Sequence, residues 1–226
     1  MTFDAALRLT EVLLALAFIQ QSLEHMHGPR AEKLLSSVRI ALCVLVIAGL
    51  GAPFPLLGLA LLSLAMLHLF QGPYNGGSDR MGLLALWCLA LAQVLPSEKA
   101  RALVFGYLGV QLALSYLMAG WVKLRNSQWR SGQALRQVFA FSTYPVSESL
   151  RGWAARPRLL FVTSWAVILF EIAFPLALLS TPTLVAALVL AAAFHFANAC
   201  LFGLNRFFWV WLSVYPAILW LQGRLF

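Results

Sequence analysis

Apolar residues fall along this chain in long blocks separated by short polar or proline-containing breaks. The blocks predict helices at Phe3 to Gln21, Arg39 to Ala52, Pro55 to Phe70, Met81 to Leu95, Ala102 to Leu124, Leu159 to Leu179, Leu184 to Phe202 and Phe207 to Gln222. A hydrocarbon core about 30 Å thick is crossed by about 20 helical residues, so the expected fold is all-α, a multipass helical membrane protein of about eight spans. The breaks have their own chemistry. Gly51-Ala-Pro-Phe-Pro55 cannot continue a helix and reads as a hairpin turn, Pro96 ends one block, and Thr181-Pro182 opens another. Gln21 to Val38 reads as a polar loop. In Gln71-Gly-Pro-Tyr-Asn-Gly-Gly-Ser-Asp-Arg80, Ser78 or Asp79 is placed to cap the next helix. The segment from about 125 to 158 differs from the rest. Gln133 to Phe141 is amphipathic, Thr143-Tyr144-Pro145 breaks it, and Ser147 to Trp153 suits a second short helix. Such segments lie along a bilayer surface or cover a pocket as a lid. With breaks this short, residues 1–226 read as one integral membrane domain.

Composition agrees with that pattern. Hydrophobic residues make up 62% of the 226 and charged ones 11%, about half the charged share of a soluble domain. The net charge of +8 comes from arginines and lysines set between apolar blocks, where they fix topology and meet anionic headgroups. No basic run with interleaved aromatics points to nucleic acid, and none is expected as a partner. If the spans alternate, Arg30, Lys33, Arg39, Arg80, the basic residues from Lys123 to Arg158 and Arg206 share one side, which the positive-inside rule places in the cytoplasm. Arg8, Lys99, Arg101 and Arg224 take the other side. The location expected is a bacterial inner membrane. Cys43, Cys88 and Cys200 lie in apolar blocks without Cys-x-x-Cys spacing and read as small packing residues. His25-x-His27 lacks further ligands, so no metal site is expected.

The informative residues are the polar ones inside apolar blocks. Arg8 and Glu11, three apart, can pair on one helix face. Tyr107, Gln111 and Ser115 recur at four-residue spacing and predict a stripe facing other helices or a cavity. That stripe leads to Lys123, with Tyr116 seven residues back on the same face, Gly120 one turn before it, and Trp121 and Trp129 on either side. Glu171 sits well inside an apolar block with Pro175 one turn later. It is either a neutral helix-to-helix hydrogen-bond donor or a functional acid. His195 and Asn198 share a helix face, structural or functional. His68 reads as an interfacial side chain or a functional one. Asp79 belongs either to a capped loop or to a pocket mouth. Trp209, Trp211, Tyr215 and Trp220 in the last block read as lipid-facing or interfacial rings.

These residues carry a resemblance. Tyr116-Leu-Met-Ala-Gly-Trp-Val-Lys-Leu, followed by Trp129 and Gly132, resembles the signature of the HTTM family, the membrane domain shared with vitamin K-dependent gamma-carboxylases. Phe194-His-Phe-Ala-Asn-Ala-Cys-Leu-Phe-Gly203, running on to Phe207 and Phe208, is similar to that family's later helix, and Phe170-Glu171 through Pro175 lies where the family has an acidic helix. The likeness covers about 71–216. It implies that Lys123 acts as the base that deprotonates a reduced quinone, with His195 at the family's helix histidine. An amine shielded from water suits that work. The sequence departs from the carboxylases in having Gly76-Gly-Ser-Asp79 in place of an Asn-His-Tyr motif. It also lacks their large extramembrane domain, so carboxylation of a protein substrate is not expected.

Two functions follow. In the first, a membrane pocket holds a quinone-like or lipid ligand, making the protein a possible quinone-linked membrane enzyme. Lys123, Glu171 and His195 are then the candidate catalytic groups, with Tyr116, Gly120, Trp129, Asp79 and Asn198 the candidate binding residues. In the second, the chain is a non-catalytic membrane subunit or assembly partner of a redox or maturation complex. It would contact its partner through about 128–153.

Overall fold

The computed structural model describes residues 1–69, 76–142, 144 and 147–225. It is helical throughout, with no strand among the described residues. The elements are α1 (Phe3–His25), α2 (Arg30–Ala48), α3 (Phe54–Leu69), α4 (Gly76–Val94), α5 (Glu98–Arg125), α6 (Ser127–Arg130), α7 (Gln133–Phe141), α8 (Ser147–Leu150), a 3-10 turn (Arg151–Ala155), α9 (Pro157–Ala173), a second 3-10 turn (Phe174–Leu179), α10 (Thr181–Phe202) and α11 (Asn205–Leu225). Among the described residues, three stretches are long and apolar enough to cross a membrane: Glu98–Arg125, Pro157–Leu179 and Thr181–Phe202. Phe54–His68 is equally apolar but shorter. The chain groups into two compact units, residues 1–110 with 206–225, and residues 111–205.

In the first unit, α1 packs on α2, α2 on α3 and α3 on α4. Burying charge on this scale requires partners. Arg8 donates to Glu11 at 3.1 Å, as the three-residue spacing predicts, and also to the carbonyls of Val46 and Ile47 at 2.7 and 2.5 Å. Those carbonyls belong to the last turn of α2, where the regular helical donors run out; the Val46 oxygen also accepts from the Gly49 amide at 3.0 Å. Gln93 donates to the other oxygen of Glu11 at 2.6 Å. The buried Arg39 guanidinium lies 4.0 Å from the centre of the Phe18 ring.

Several expectations are corrected here. The predicted loop from Gln21 to Val38 is mostly helix: α1 runs on to His25 and α2 starts at Arg30. Its polar side chains satisfy one another along the helix, as in Gln20 to Glu24 at 2.6 Å, and Pro29 supplies the real break at the N-cap of α2. α4 begins at Gly76, so Ser78 and Asp79 lie within its first turn rather than capping it; residues 71–75 are outside those described. Trp211, Tyr215 and Trp220 are buried rather than lipid-facing, while Trp209 stays partly exposed. The cause is aromatic packing, with Trp220 meeting Phe3 and Phe105 at 5.4 Å each and Trp211 stacking on Phe207 at 5.1 Å. Cys43 and Cys88 are buried as expected, whereas Cys200 is on an exposed face of α10.

The second unit holds the end of α5, the connecting helices and the α9–α10 pair. α7 and the short helix after it match the predicted amphipathic segment, and α6 is an addition. Thr143 and Pro145 of the predicted break lie outside the described residues. At Pro175 the helix gives way: α9 ends at Ala173 and the chain tightens into a 3-10 turn.

Candidate functional site

The second unit is assembled around a close helix crossing. Gly120 is buried in α5, and an ideal Cβ built on it falls 2.8 Å from the backbone nitrogen and Cγ1 of Ile172 and 2.9 Å from Cβ of Glu171. Only hydrogen fits, so α9 comes directly against α5 at this level. One turn later the same approach brings Lys123 Nζ to Glu171 Oε1 at 2.8 Å and Oε2 at 2.7 Å. The lysine side chain is 18% exposed and the glutamate 5%. Two of the three ammonium donors are thus taken by one carboxylate.

Trp129 is held in place by its backbone. α5 ends at Arg125, and Asn126 caps the next turn by accepting from the Gln128 amide at 2.9 Å. The carbonyls of Trp129 and Arg130 then accept from Ser164 Oγ at 2.5 Å and Trp165 Nε1 at 3.0 Å. Gly132, at φ +76°, lets the chain turn back where any Cβ would fall 2.8 Å from the Phe161 nitrogen. The result places the Trp129 ring 5.2 Å from Lys123 Nζ, within cation–π range.

A second pair lies two turns back along α5. Tyr116 Oη and His195 Nε2 are 3.0 Å apart, both residues buried. The Tyr116 ring stacks on Phe174 at 4.1 Å and meets Phe170 edge-on at 6.0 Å. Phe170 on α9 and Phe174 at the start of the following 3-10 turn flank Glu171, so one short stretch supplies both the carboxylate and the aromatic wall.

The structure therefore gathers Tyr116, Gly120, Lys123, Trp129, Glu171 and His195 in one unit. The partner of His195 is Tyr116 rather than Asn198. Asn198 is half-buried one turn on, and its carbonyl accepts from Leu204 at the end of α10. Asp79 belongs to the first unit, where it accepts from Gln21 Nε2 at 3.2 Å. The polar stripe ahead of Lys123 is looser than its spacing suggests: Tyr107 is 48% exposed, and the Ser115 hydroxyl donates to its own helix at Leu112 O, 2.7 Å away. Phe174, Ser164 and Trp165 are structural partners that the sequence reading passed over. Their signal was faint: Phe174 lies one turn from Phe170 on the face of Glu171, and the Ser164-Trp165 pair interrupts an otherwise apolar block.

No curated protein and no solved structure matches the chain. The HTTM domain matches residues 90–221, close to the 71–216 read from the motifs and containing all of these site residues except Asp79. An HTTM match over more than half the chain, together with three membrane-length apolar helices, makes this an integral membrane protein belonging to the HTTM family.

Proposed function

We propose that the Lys123–Glu171 pair is the acid–base centre of a membrane site for a quinone-like or lipid ligand, in a chain of about eight spans in a bacterial inner membrane. The observation that carries this reading is the bidentate contact at 2.7 and 2.8 Å between two nearly enclosed side chains. In a low-dielectric setting a proton can pass along either hydrogen bond from Nζ to the carboxylate, leaving a neutral amine beside a carboxylic acid. The amine then takes the proton of a ligand hydroxyl, and the new ammonium stays next to the ligand anion. Trp129 supplies a π-face to the cation, and the Tyr116–His195 pair, backed by Phe174, offers a donor and an aromatic wall to a flat ring.

The same bidentate geometry also favours a second reading, in which the pair only clamps α5 to α9 in a non-catalytic membrane subunit. Arginine separates the two. Lys123→Arg keeps a cation against Glu171 but cannot give up its proton. The purified protein is mixed anaerobically with a short-chain naphthohydroquinone, and the absorbance of the hydroquinone anion is recorded. The acid–base reading expects the anion with the wild type and its loss with Lys123→Arg. Equal spectra from the two proteins would overturn it and leave the clamp.

A further inference from the structure

A second site lies in the other unit, at the N-terminal end of α5. There the chain encloses a cleft of about 820 Å³ between α1, α5 and α11, within the usual size range of about 300–1,000 Å³ for ligand sites. Its walls are apolar and aromatic: Phe3, Leu103, Gly106, Tyr107, Val110 and Trp220. Its rim is charged, with Lys99, Arg101 and Arg224 set against Asp4 and Glu98.

The rim charges are not equivalent. Arg101 is committed to the protein: it donates to the Ala92 carbonyl at 2.7 Å, lies 3.7 Å from Asp4, and sits 5.2 Å from the Phe3 ring. Lys99 and Arg224 are exposed and form no ion pair among the described residues, and Arg224 rests 5.5 Å from the Trp220 ring. Three cations against two carboxylates leave the rim net positive. Below it, Leu103, Tyr107 and Val110 follow one another on a single face of α5, 65%, 48% and 49% exposed. That helix is long and apolar enough to cross a membrane, so this apolar face opens to acyl chains and the rim lies at headgroup level.

We propose that this cleft holds one anionic phospholipid. One acyl chain lies along Leu103, Tyr107 and Val110, and the phosphate is bound by Lys99 and Arg224. A net-positive rim favours a lipid with net negative charge over a zwitterionic one, which has the same tails. Gly106 offers a way to close the cleft without disturbing the fold. A Cβ there meets Trp220 and Leu221 only at ordinary contact distances of 3.6 and 3.5 Å, so a longer side chain extends into the open space.

The test is native mass spectrometry of the full chain after exchange into micelles containing equal amounts of phosphatidylglycerol and phosphatidylcholine. The wild type is expected to retain one phosphatidylglycerol. The double variant Lys99→Gln/Arg224→Gln should lose about thirtyfold in preference for it, since each basic residue near an anionic surface contributes roughly fivefold. Gly106→Leu should retain neither lipid, with an unchanged melting temperature confirming its fold. Equal retention of the two lipids by the wild type would overturn the proposal, as would undiminished phosphatidylglycerol binding by the double variant or by Gly106→Leu.

Discussion

At position 120 a single hydrogen atom decides how near two helices come. A methyl group there would meet the Ile172 backbone nitrogen at 2.8 Å, and backbone cannot rotate aside as a side chain can. Gly120→Ala is therefore expected to push α9 from α5 and destabilise the fold by about 1–3 kcal/mol, the usual range for overpacking. Gly106→Ala, whose Cβ meets only side-chain atoms at 3.5 Å or more, should be nearly neutral. Thermal unfolding of both variants in the same detergent checks this, and equal melting temperatures would refute the close crossing. The role of Lys123 in this crossing could be read from its register with Tyr116 and Gly120. Its carboxylate partner could not be read so directly. Glu171 lies 48 residues away, and nothing local in a sequence says which helices will meet. What pointed to it was cost: a carboxylate inside an apolar block demands a partner, and few were on offer.

Among the elements, the connection between α5 and α9 is the least regular and the best pinned. Arg151 holds the end of α7: it donates to the carbonyls of Ala140 and Ser142, the latter at 2.9 Å, and to both oxygens of Glu148 at 2.8 and 2.7 Å. Those carbonyls fall at the helix C-terminus, where a cation is favoured. The Arg151 hydrogen bond, and then its charge, hold the Glu148 carboxyl below its usual value of 4.5, and donating to Glu148 raises the guanidinium in turn. A depressed acid stabilises the fold above its ordinary value and ceases to do so as pH falls through the lowered one. Amide exchange over residues 133–142 is thus expected to be unaffected by this pair from neutral pH down to about 4.5 and to quicken below it, after correction for intrinsic rates. Arg151→Gln should show the faster exchange already at neutral pH, and exchange identical to the wild type would remove the clasp. The amphipathic period of Gln133 to Phe141 gave this helix its bounds in advance. The clasp itself was hidden, because an arginine in an interfacial segment reads first as a headgroup contact.

For the whole molecule, apolar blocks were enough to foresee an all-helical membrane protein, and their ends were foreseen less well. Polar residues between Gln21 and Val38 looked like loop because hydropathy reports where a helix leaves lipid, not where it stops being a helix. α1 and α2 carry on past that point. The aromatic last block was misread for a related reason: composition gives rings an affinity for the interface, but Phe3 and Phe105 draw Trp220 into the interior instead. Family membership rests on the HTTM match over residues 90–221, and the proposed chemistry rests on one ion pair inside it. The most direct test removes that pair without leaving a buried charge behind, using Lys123→Met/Glu171→Leu, since apolar replacement of both partners is often neutral for stability. Lipids and quinones that copurify from native membrane with the wild type and with this variant are compared by mass spectrometry. Apart from the phospholipid of the Lys99–Arg224 cleft, which both proteins should carry, the account predicts a stoichiometric quinone or lipid on the wild type, absent from a variant of equal melting temperature. An unchanged set of bound molecules, with nothing lost from the variant, would contradict it.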